Sequence, residues 1–203
     1  ADCAIMERVM KMDNEKDLPK RKSTRLKNFD YGSYNYYYVT ICTKNKECLL
    51  STITSTPSQT LDIINPEDIR VEPTDIGLKV IDCWNNIQNL NENVEVKEFI
   101  LMPNHIHGVI VIKNIDPSPE NFEKKYDFQV TERRGRRSLQ GLIKDFKSVT
   151  TRHYKKMNDS CESLWQQSFY DTVITSQQQY ENICNYIQYN PLNWLLKKEI
   201  DDF

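Results

Sequence analysis

The chain has 203 residues, of which 38% are hydrophobic and 28% are charged, a composition typical of one globular domain with extensions. Its apolar runs, such as 99–102 and 109–112, are far too short to span a membrane, and no apolar signal region follows the charges of the N-terminal segment. We therefore expect a cytoplasmic protein without a membrane partner. The net charge of −2 argues against a protein that simply coats DNA, because such proteins are usually basic.

Charge is distributed unevenly along the chain. The polar residues 1–28 contain one basic patch and are expected to form an arm that packs loosely on a domain spanning 29–195. A second basic patch ends an irregular insertion predicted at 113–137, and residues 196–203 form an acidic tail. A run of charge is usually a solvated surface, so each patch by itself only weakly indicates a nucleic-acid partner. The two patches are Lys20, Arg21, Lys22, Arg25 and Lys27, and Arg133, Arg134, Arg136 and Arg137.

The six cysteines show no CxxC pair and no zinc-finger spacing. Several lie within apolar patterns, where a free cysteine acts as a small buried hydrophobic residue. The sequence therefore predicts reduced thiols in a reducing compartment, and neither a disulfide framework nor a structural metal site built on cysteines.

The first elements of the predicted domain are strands followed by a helix. Residues Tyr36–Thr43 are rich in β-branched and aromatic side chains, as is typical of a strand. A turn at 44–46 and a second extended stretch from Cys48 follow, and Pro57 marks a loop. From Asp75 onwards the apolar residues recur at helical spacing, which predicts an amphipathic helix.

Two strands come next in the chain, Val94–Met102 and Ile106–Ile112, with a tight connection at Pro103 and Asn104. Side chains alternate between the two faces of a strand, so neighbouring residues of either strand should point in opposite directions.

The remaining elements are a helix, a strand and a second helix. Ser138 is a good N-cap for the first helix, and 168–175 is predicted to be a strand. The last helix should start at about Gln177 and end at Pro191, because the residue before a proline is disfavoured in helical conformation. The complete order predicts an α+β fold: a ferredoxin-like (RRM-like) antiparallel sheet with the helices packed mainly on one face.

Two of the three histidines form the pattern His105-Ile106-His107 at the start of a predicted strand. Both imidazoles should therefore point to the same face, where two such rings can chelate a divalent metal. Either ring could instead be an ordinary polar surface group. The third histidine, His153, falls on the apolar stripe of its helix and is interpreted as structural.

The last predicted helix has a tyrosine beside its buried stripe. On a helical projection Tyr186 and Asn190 form an i, i+4 pair at the border of the stripe, from which both can reach the sheet. Tyr189 falls almost opposite the stripe and is the poorer candidate for a site. Tyr186 could also be a simple aromatic residue at the rim of the core. The stripe itself comprises Tyr180, Ile183, Cys184 and Ile187.

Several segments, taken in order, resemble the single-tyrosine HUH transposases and their REP-associated relatives. MPNHIHGVIVI (102–112) resembles their HUH motif, and YIQYNPLNW (186–194) resembles their tyrosine-bearing helix, with a tyrosine, four residues and a proline. Segments 36–50, 138–154 and 164–174 extend the resemblance over about residues 25–195. None of these segments by itself is specific to this family, whereas their combination in this order is.

By position, the resemblance implies that His105 and His107 ligate a divalent metal, Mg²⁺ or Mn²⁺. It implies that Asn190 is a third ligand, although relatives often have the longer glutamine there, and that Tyr186 is the catalytic nucleophile. The implied enzyme cuts and rejoins single-stranded DNA through a 5′-phosphotyrosine, at hairpin-flanked sites, as a monomer or homodimer associated with the nucleoid when it acts. No nucleotide cofactor is expected, because the chain lacks a Walker-type glycine loop.

An alternative is a domesticated protein on the same fold that binds single-stranded DNA or RNA without cutting it. The aromatic run at 34–38 could stack bases, as sheets of RNA-binding domains do. A pure binding module has no use for the paired histidines and the tyrosine, but a descendant that lost only its activity could keep them all.

Overall fold

The computed structural model describes residues 35–55, 68–113, 138–159 and 161–201. The predicted N-terminal arm, the loop at Pro57 and nearly all of the predicted insertion at 113–137 lie outside these ranges. The same holds for every basic residue assigned to the two patches, from Lys20 to Lys27 and from Arg133 to Arg137.

The structure has six strands and three helices in its described part, in the order β1-β2-β3-α1-β4-β5-α2-β6-α3. Four strands form one sheet in the order β4-β5-β1-β6, with every neighbouring pair antiparallel, and β2 and β3 form a separate antiparallel pair. The predicted antiparallel α+β fold is confirmed. The strands are β1 (Asn35–Cys42), β2 (Ser51–Ser55), β3 (Ile69–Pro73), β4 (Val94–Leu101), β5 (His105–Ile112) and β6 (Tyr170–Ile174); the helices are α1 (Asp75–Asn89), α2 (Leu139–Asn158) and α3 (Gln177–Asp201).

One face of the sheet packs against α1 and α2 and forms the main core. The Trp84 ring lies at its centre, in edge contact with Phe146 at 5.6 Å between ring centroids. The ring lies directly over Gly108, where an added Cβ would be only 2.3 Å from a ring carbon, so this position of β5 requires glycine. The strand residues of this core include Tyr37, Val39, Ile41, Ile106, Ile110 and Ile112.

Helix α3 covers part of the opposite face. Ile187 of α3 is buried against Val109 of β5 and Ile174 of β6, with Ile183 and Tyr180 packed at the edge of this smaller cluster. Two helices therefore lie on one face and the third on the other, in agreement with a fold whose helices pack mainly on one side. None of the described helices has the length and apolar character needed to cross a membrane.

The predicted starts of α1 and α2 are confirmed by their caps. Thr74 Oγ1 accepts a hydrogen bond from the Gly77 amide at 3.1 Å, and Ser138 Oγ accepts one from the Gly141 amide at 3.3 Å. The interpretation of His153 is wrong: its side chain is exposed, because the core-facing side of α2 at this level passes through Thr150 and Tyr154 instead.

The predicted end of the last helix at Pro191 is also wrong, since α3 continues to Asp201. A proline inside a helix lacks the N–H that would bond the carbonyl four residues earlier and costs about 3 kcal/mol. Packing on both sides of the proline offsets this cost. Asn190 and Pro191 are buried, and the Trp194 ring, one turn further on, lies 6.0 Å from the His105 ring.

Candidate active site

Strand β5 brings two imidazoles together on the sheet face that α3 covers. His105 and His107 alternate with the core residues Ile106 and Gly108, and their ring centroids lie 4.6 Å apart. The register pairs His107 with Thr40 on the central strand β1. The strand periodicity thus places both rings where the sequence predicts, with only 4% of His107 exposed to solvent.

Hydroxyl groups from β1 hold His107 by one ring nitrogen. Its Nδ1 lies 2.8 Å from the Tyr38 hydroxyl and 2.9 Å from Thr40 Oγ1. Its Nε2 is buried without a hydrogen-bond partner among the described residues. A buried polar atom without a partner costs about 1–3 kcal/mol. The lone pair of an imidazole in this position can instead bind a cation.

A neighbouring amide fixes the tautomer of His105. Its Nδ1 lies 2.7 Å from Asn104 Oδ1, and Asn104 Nδ2 donates to the Lys46 carbonyl oxygen at 3.1 Å, which orients the amide. An amide oxygen only accepts, so the proton is on Nδ1 of His105 and the lone pair is on Nε2. The buried side chain of Asn190 also hydrogen-bonds the His105 ring.

Both imidazoles are neutral at pH 7. Burial lowers the pKa of His105 to about 4, and the hydrogen bond with Asn190 opposes this shift. Burial and the neighbouring His105 lower the pKa of His107 to about 3. The neutral form is the one that ligates metals, so this pair does not have to lose protons before it binds one.

Helix α3 places Tyr186 over the imidazole pair. Its ring makes an edge contact with His107 at 5.4 Å between centroids and with Tyr38 at 6.5 Å. The side chain is nevertheless 49% exposed, so one side of the phenol is open to a ligand. Asn190, one turn further along the helix, is buried beside His105, while Tyr189 is exposed and makes no comparable contact among the described rings.

These residues fit a divalent cation through nitrogen and amide oxygen ligands. The unpartnered Nε2 of His107 lies on the same side of the sheet as the His105 ring and as Asn190, whose side chain hydrogen-bonds that ring. Within the part of the chain that the structure describes, no three His, Cys, Asp or Glu side chains come together. A metal here would therefore depend on the two imidazoles and the Asn190 amide oxygen.

Sequence analysis missed the residues that support this pair. Thr40 and Asn104 were assigned only to a strand and a turn, Tyr38 only to a strand and to possible base stacking, and Trp194 to no site. The alternation of β1 does place Tyr38 and Thr40 on one face. Which side chains of β5 they meet depends on the register of two strands more than sixty residues apart in sequence.

The chain was compared with family models, solved structures and curated sequences. No family model matches the chain. Among solved structures, it is similar to a REP-associated tyrosine transposase bound to a REP hairpin, with 13% identity and a TM-score of 0.49 over 79% of this chain and 70% of that one. It is also similar to a candidate transposase of Deinococcus radiodurans R1, with 15% identity and a TM-score of 0.41 over 81% and 96%. At these sequence identities and TM-scores, neither similarity supports a conclusion about the activity of this chain.

A closer relative is found by sequence. An uncharacterized protein of Haemophilus influenzae (strain Rd) is 32% identical over 175 residues, which cover 86% of this chain and 89% of that protein. This identity extends over nearly the whole length of both proteins. The chain therefore belongs to the same family as this Haemophilus influenzae protein.

Proposed function

We propose that the chain is a metal-dependent, single-tyrosine nuclease of the HUH transposase type, which cuts and rejoins single-stranded DNA. One observation carries the proposal: the exposed Tyr186 ring lies 5.4 Å from the buried ring of His107, whose partner His105 is 4.6 Å away. A nucleophilic side chain beside two neutral imidazoles is what metal-assisted phosphoryl transfer needs.

His105, His107 and the Asn190 amide oxygen would hold the divalent ion, either Mg²⁺ or Mn²⁺. When bound, such an ion supplies Lewis acidity at the phosphate and favours the phenolate form of a nearby tyrosine. The protein's own part is to fix the two rings. Asn104 holds the His105 ring through its Nδ1, and the hydroxyls of Tyr38 and Thr40 hold the His107 ring through its Nδ1.

Tyr186 would attack the phosphorus of a DNA phosphodiester. The bond between its phenolic oxygen and phosphorus forms as the bond to the 3′-oxygen breaks; the phenolic proton is released and the 3′-oxygen leaves as a hydroxyl. The 5′-phosphotyrosine conserves the energy of the broken bond, so a 3′-hydroxyl can attack it and reseal a strand without a nucleotide cofactor. The open side of the phenol provides access for the strand.

DNA contacts outside the site are assigned to the two basic patches, which contain Lys20, Arg21 and Lys22, and Arg133, Arg134, Arg136 and Arg137. Such residues bind phosphates without reading sequence and make the affinity depend strongly on salt. We extend the proposal to a hairpin-bearing single strand as the substrate, to a cytoplasmic protein associated with the nucleoid when it acts, and to a monomer or homodimer.

A non-cleaving binding protein on the same fold has less support. Of the aromatic run at 34–38, Tyr37 is fully buried in the core, Tyr38 is bonded to His107, and Tyr36 packs on Tyr180 at 5.7 Å. These three rings are committed to contacts within the protein, and Tyr34 lies outside the described residues. The described part of the run therefore does not provide the open stacking surface on which a purely binding function would depend.

The test is a covalent adduct on DNA. The parent protein, Tyr186→Phe and the matched control Tyr189→Phe are incubated with Mn²⁺ and a pool of labelled, hairpin-bearing single strands with randomised flanks. We expect the parent and Tyr189→Phe to form an adduct that survives denaturing electrophoresis, and Tyr186→Phe to bind the DNA without forming it. An adduct formed by Tyr186→Phe would refute the assignment of the nucleophile.

A further inference from the structure

Strand β6 carries an exposed aromatic side chain that the proposed chemistry does not use. Tyr170 is 59% exposed, more than either Tyr186 or Tyr189. Single exposed aromatic residues are common on protein surfaces and need no explanation by themselves. The position of Tyr170 relative to the imidazole pair is what distinguishes it.

The sheet register places Tyr170 in one row with His107. Thr40 of the central strand β1 is the partner of His107 on β5 and of Tyr170 on β6. Paired residues of antiparallel strands point to the same face, so all three side chains lie on the face that carries the candidate site. With strands about 4.8 Å apart, the backbones of His107 and Tyr170 are about 10 Å apart.

Helix α3 leaves this side of the sheet uncovered. Ile174, at the far end of β6, is buried beneath Ile187, whereas Thr172 and Tyr170 on the same face of the strand are exposed. An open strip, which we define as Thr172 and Tyr170, thus runs along β6 at the edge of the sheet, and the half-buried Thr40 lies between it and His107. Tyr186 borders the strip on the side of the helix, through its contact with Tyr38 of β1.

The open strip has the chemistry of a surface for single-stranded nucleic acid. The Thr172 hydroxyl can bond sugar or phosphate oxygens, and the Tyr170 ring offers a flat face on which any base can stack. A span of about 10 Å corresponds to a few nucleotides at the stacked spacing of 3.4 Å. A strand held at Tyr186 and continuing along the sheet would therefore reach Tyr170.

We propose that Tyr170 stacks on a base of the bound DNA strand, a few nucleotides from the phosphate that Tyr186 attacks. This inference rests on the proposed function, because it requires a single strand at Tyr186. It assigns Tyr170 to substrate binding and not to chemistry, so cleavage should suffer through the apparent affinity for DNA and not through the maximal rate.

Binding is measured by fluorescence anisotropy with labelled single strands in the Tyr186→Phe background, in which no adduct can trap the DNA. We expect Tyr170→Ala to raise the Kd about 5- to 150-fold, the range that loss of one base–aromatic stack produces. Tyr170→Phe should restore the affinity, because stacking does not need the hydroxyl. The matched control, Tyr189→Ala, removes another exposed ring, from α3, and should leave the Kd within twofold.

A second measurement locates the base directly. Single strands with one photoreactive 5-iododeoxyuridine, placed at successive positions, are irradiated on the protein and the crosslinked residue is identified by mass spectrometry. We expect crosslinks to Tyr170 from one or two adjacent positions near the cleavage site, and none in Tyr170→Ala. Crosslinks that avoid β6, or a Tyr170→Ala protein that binds like the parent, would overturn the inference while leaving the adduct chemistry standing.

Two other outcomes would overturn the role proposed for Tyr170. If the parent protein binds no single-stranded DNA, the proposed function and this inference both fall. If RNA of the same sequence binds more tightly than DNA and depends equally on Tyr170, the open strip serves RNA and its assignment to DNA is wrong.

Discussion

The side-chain oxygen of Asn104 lies 2.7 Å from Nδ1 of His105, the next residue in the chain. The other end of the same amide is bonded to the carbonyl of Lys46, in the turn that follows the central strand β1. The short connection between β4 and β5 is therefore more than a tight turn. It places the proton of the first histidine of the pair on Nδ1 and directs Nε2 towards Asn190.

Replacing Asn104 by leucine should weaken metal binding without removing a ligand. Loss of a group that orients a metal-bound histidine typically costs 10- to 100-fold in affinity, and we expect a decrease in that range for Mn²⁺ measured by isothermal titration calorimetry. Asn89→Leu, at an exposed asparagine of α1, is the matched control and should bind Mn²⁺ like the parent. An unchanged affinity in folded Asn104→Leu would show that the amide does not support the site.

The two imidazoles should be needed for any metal-dependent cleavage. His105→Ala and His107→Ala each remove one of the two nitrogen ligands, and we expect both variants to lose Mn²⁺ binding and DNA cleavage together. His153→Ala removes an exposed histidine on α2 and should leave both unchanged. Cleavage by the parent in excess EDTA, or by both variants at the parental rate, would contradict a metal role.

Local patterns predicted most of the fold. The start of α1 follows from the helical spacing of apolar residues from Asp75, the start of α2 from the cap Ser138, and the shared face of His105 and His107 from strand alternation. All three are properties of short segments of the chain. The continuation of α3 past Pro191 is not such a property, because it depends on contacts that bury Asn190 and that bring the Trp194 ring to 6.0 Å from the His105 ring.

The supporting residues of the candidate site could not be predicted for a related reason. Periodicity shows that Tyr38 and Thr40 share a face, but only the register of β1 against β5 shows that both hydroxyls meet the same histidine nitrogen. Likewise, the exposure of Tyr170 depends on where α3 crosses the sheet. Pairings between distant segments are set by the packing of the whole domain and leave little trace in one sequence.

The Glu95 carboxylate of β4 should give a stability difference that depends on pH. Hydrogen bonds from Lys113, at 2.8 Å, and from Lys97 lower its pKa to about 2. Because the pKa in the folded protein lies below the ordinary value of 4.5, this contribution is fully present above pH 4.5 and is lost as the pH falls towards 2. Glu95→Gln should therefore be slightly less stable than the parent at pH 7, and equally stable near pH 2.

Urea unfolding at several pH values measures this difference. The contribution should be small, because ion pairs of exposed side chains are screened by water and salt. Glu92→Gln removes an exposed carboxylate nearby and serves as the control, with no difference expected at either pH. A Glu95→Gln deficit that grows as the pH falls would reverse the predicted sign and rule out the two lysines as its cause.

The stability of the fold should be sensitive to substitution at Gly108, where β5 packs tightly against Trp84 beneath the imidazole pair. Gly108→Ala would bring a Cβ to 2.3 Å from the Trp84 ring, in a buried core where neither the strand nor the indole can move freely, so we expect a loss of about 1–3 kcal/mol in the free energy of unfolding. Gly141→Ala is the matched control, because its Cβ would meet nothing closer than Ser138 Oγ at 3.6 Å. Alanine is favoured over glycine inside a helix by about 1 kcal/mol, so Gly141→Ala should be as stable as the parent or more stable. If Gly108→Ala were as stable as the parent, Trp84 would not pack closely against β5 at this position. The alignment of His105 and His107 would then have another origin.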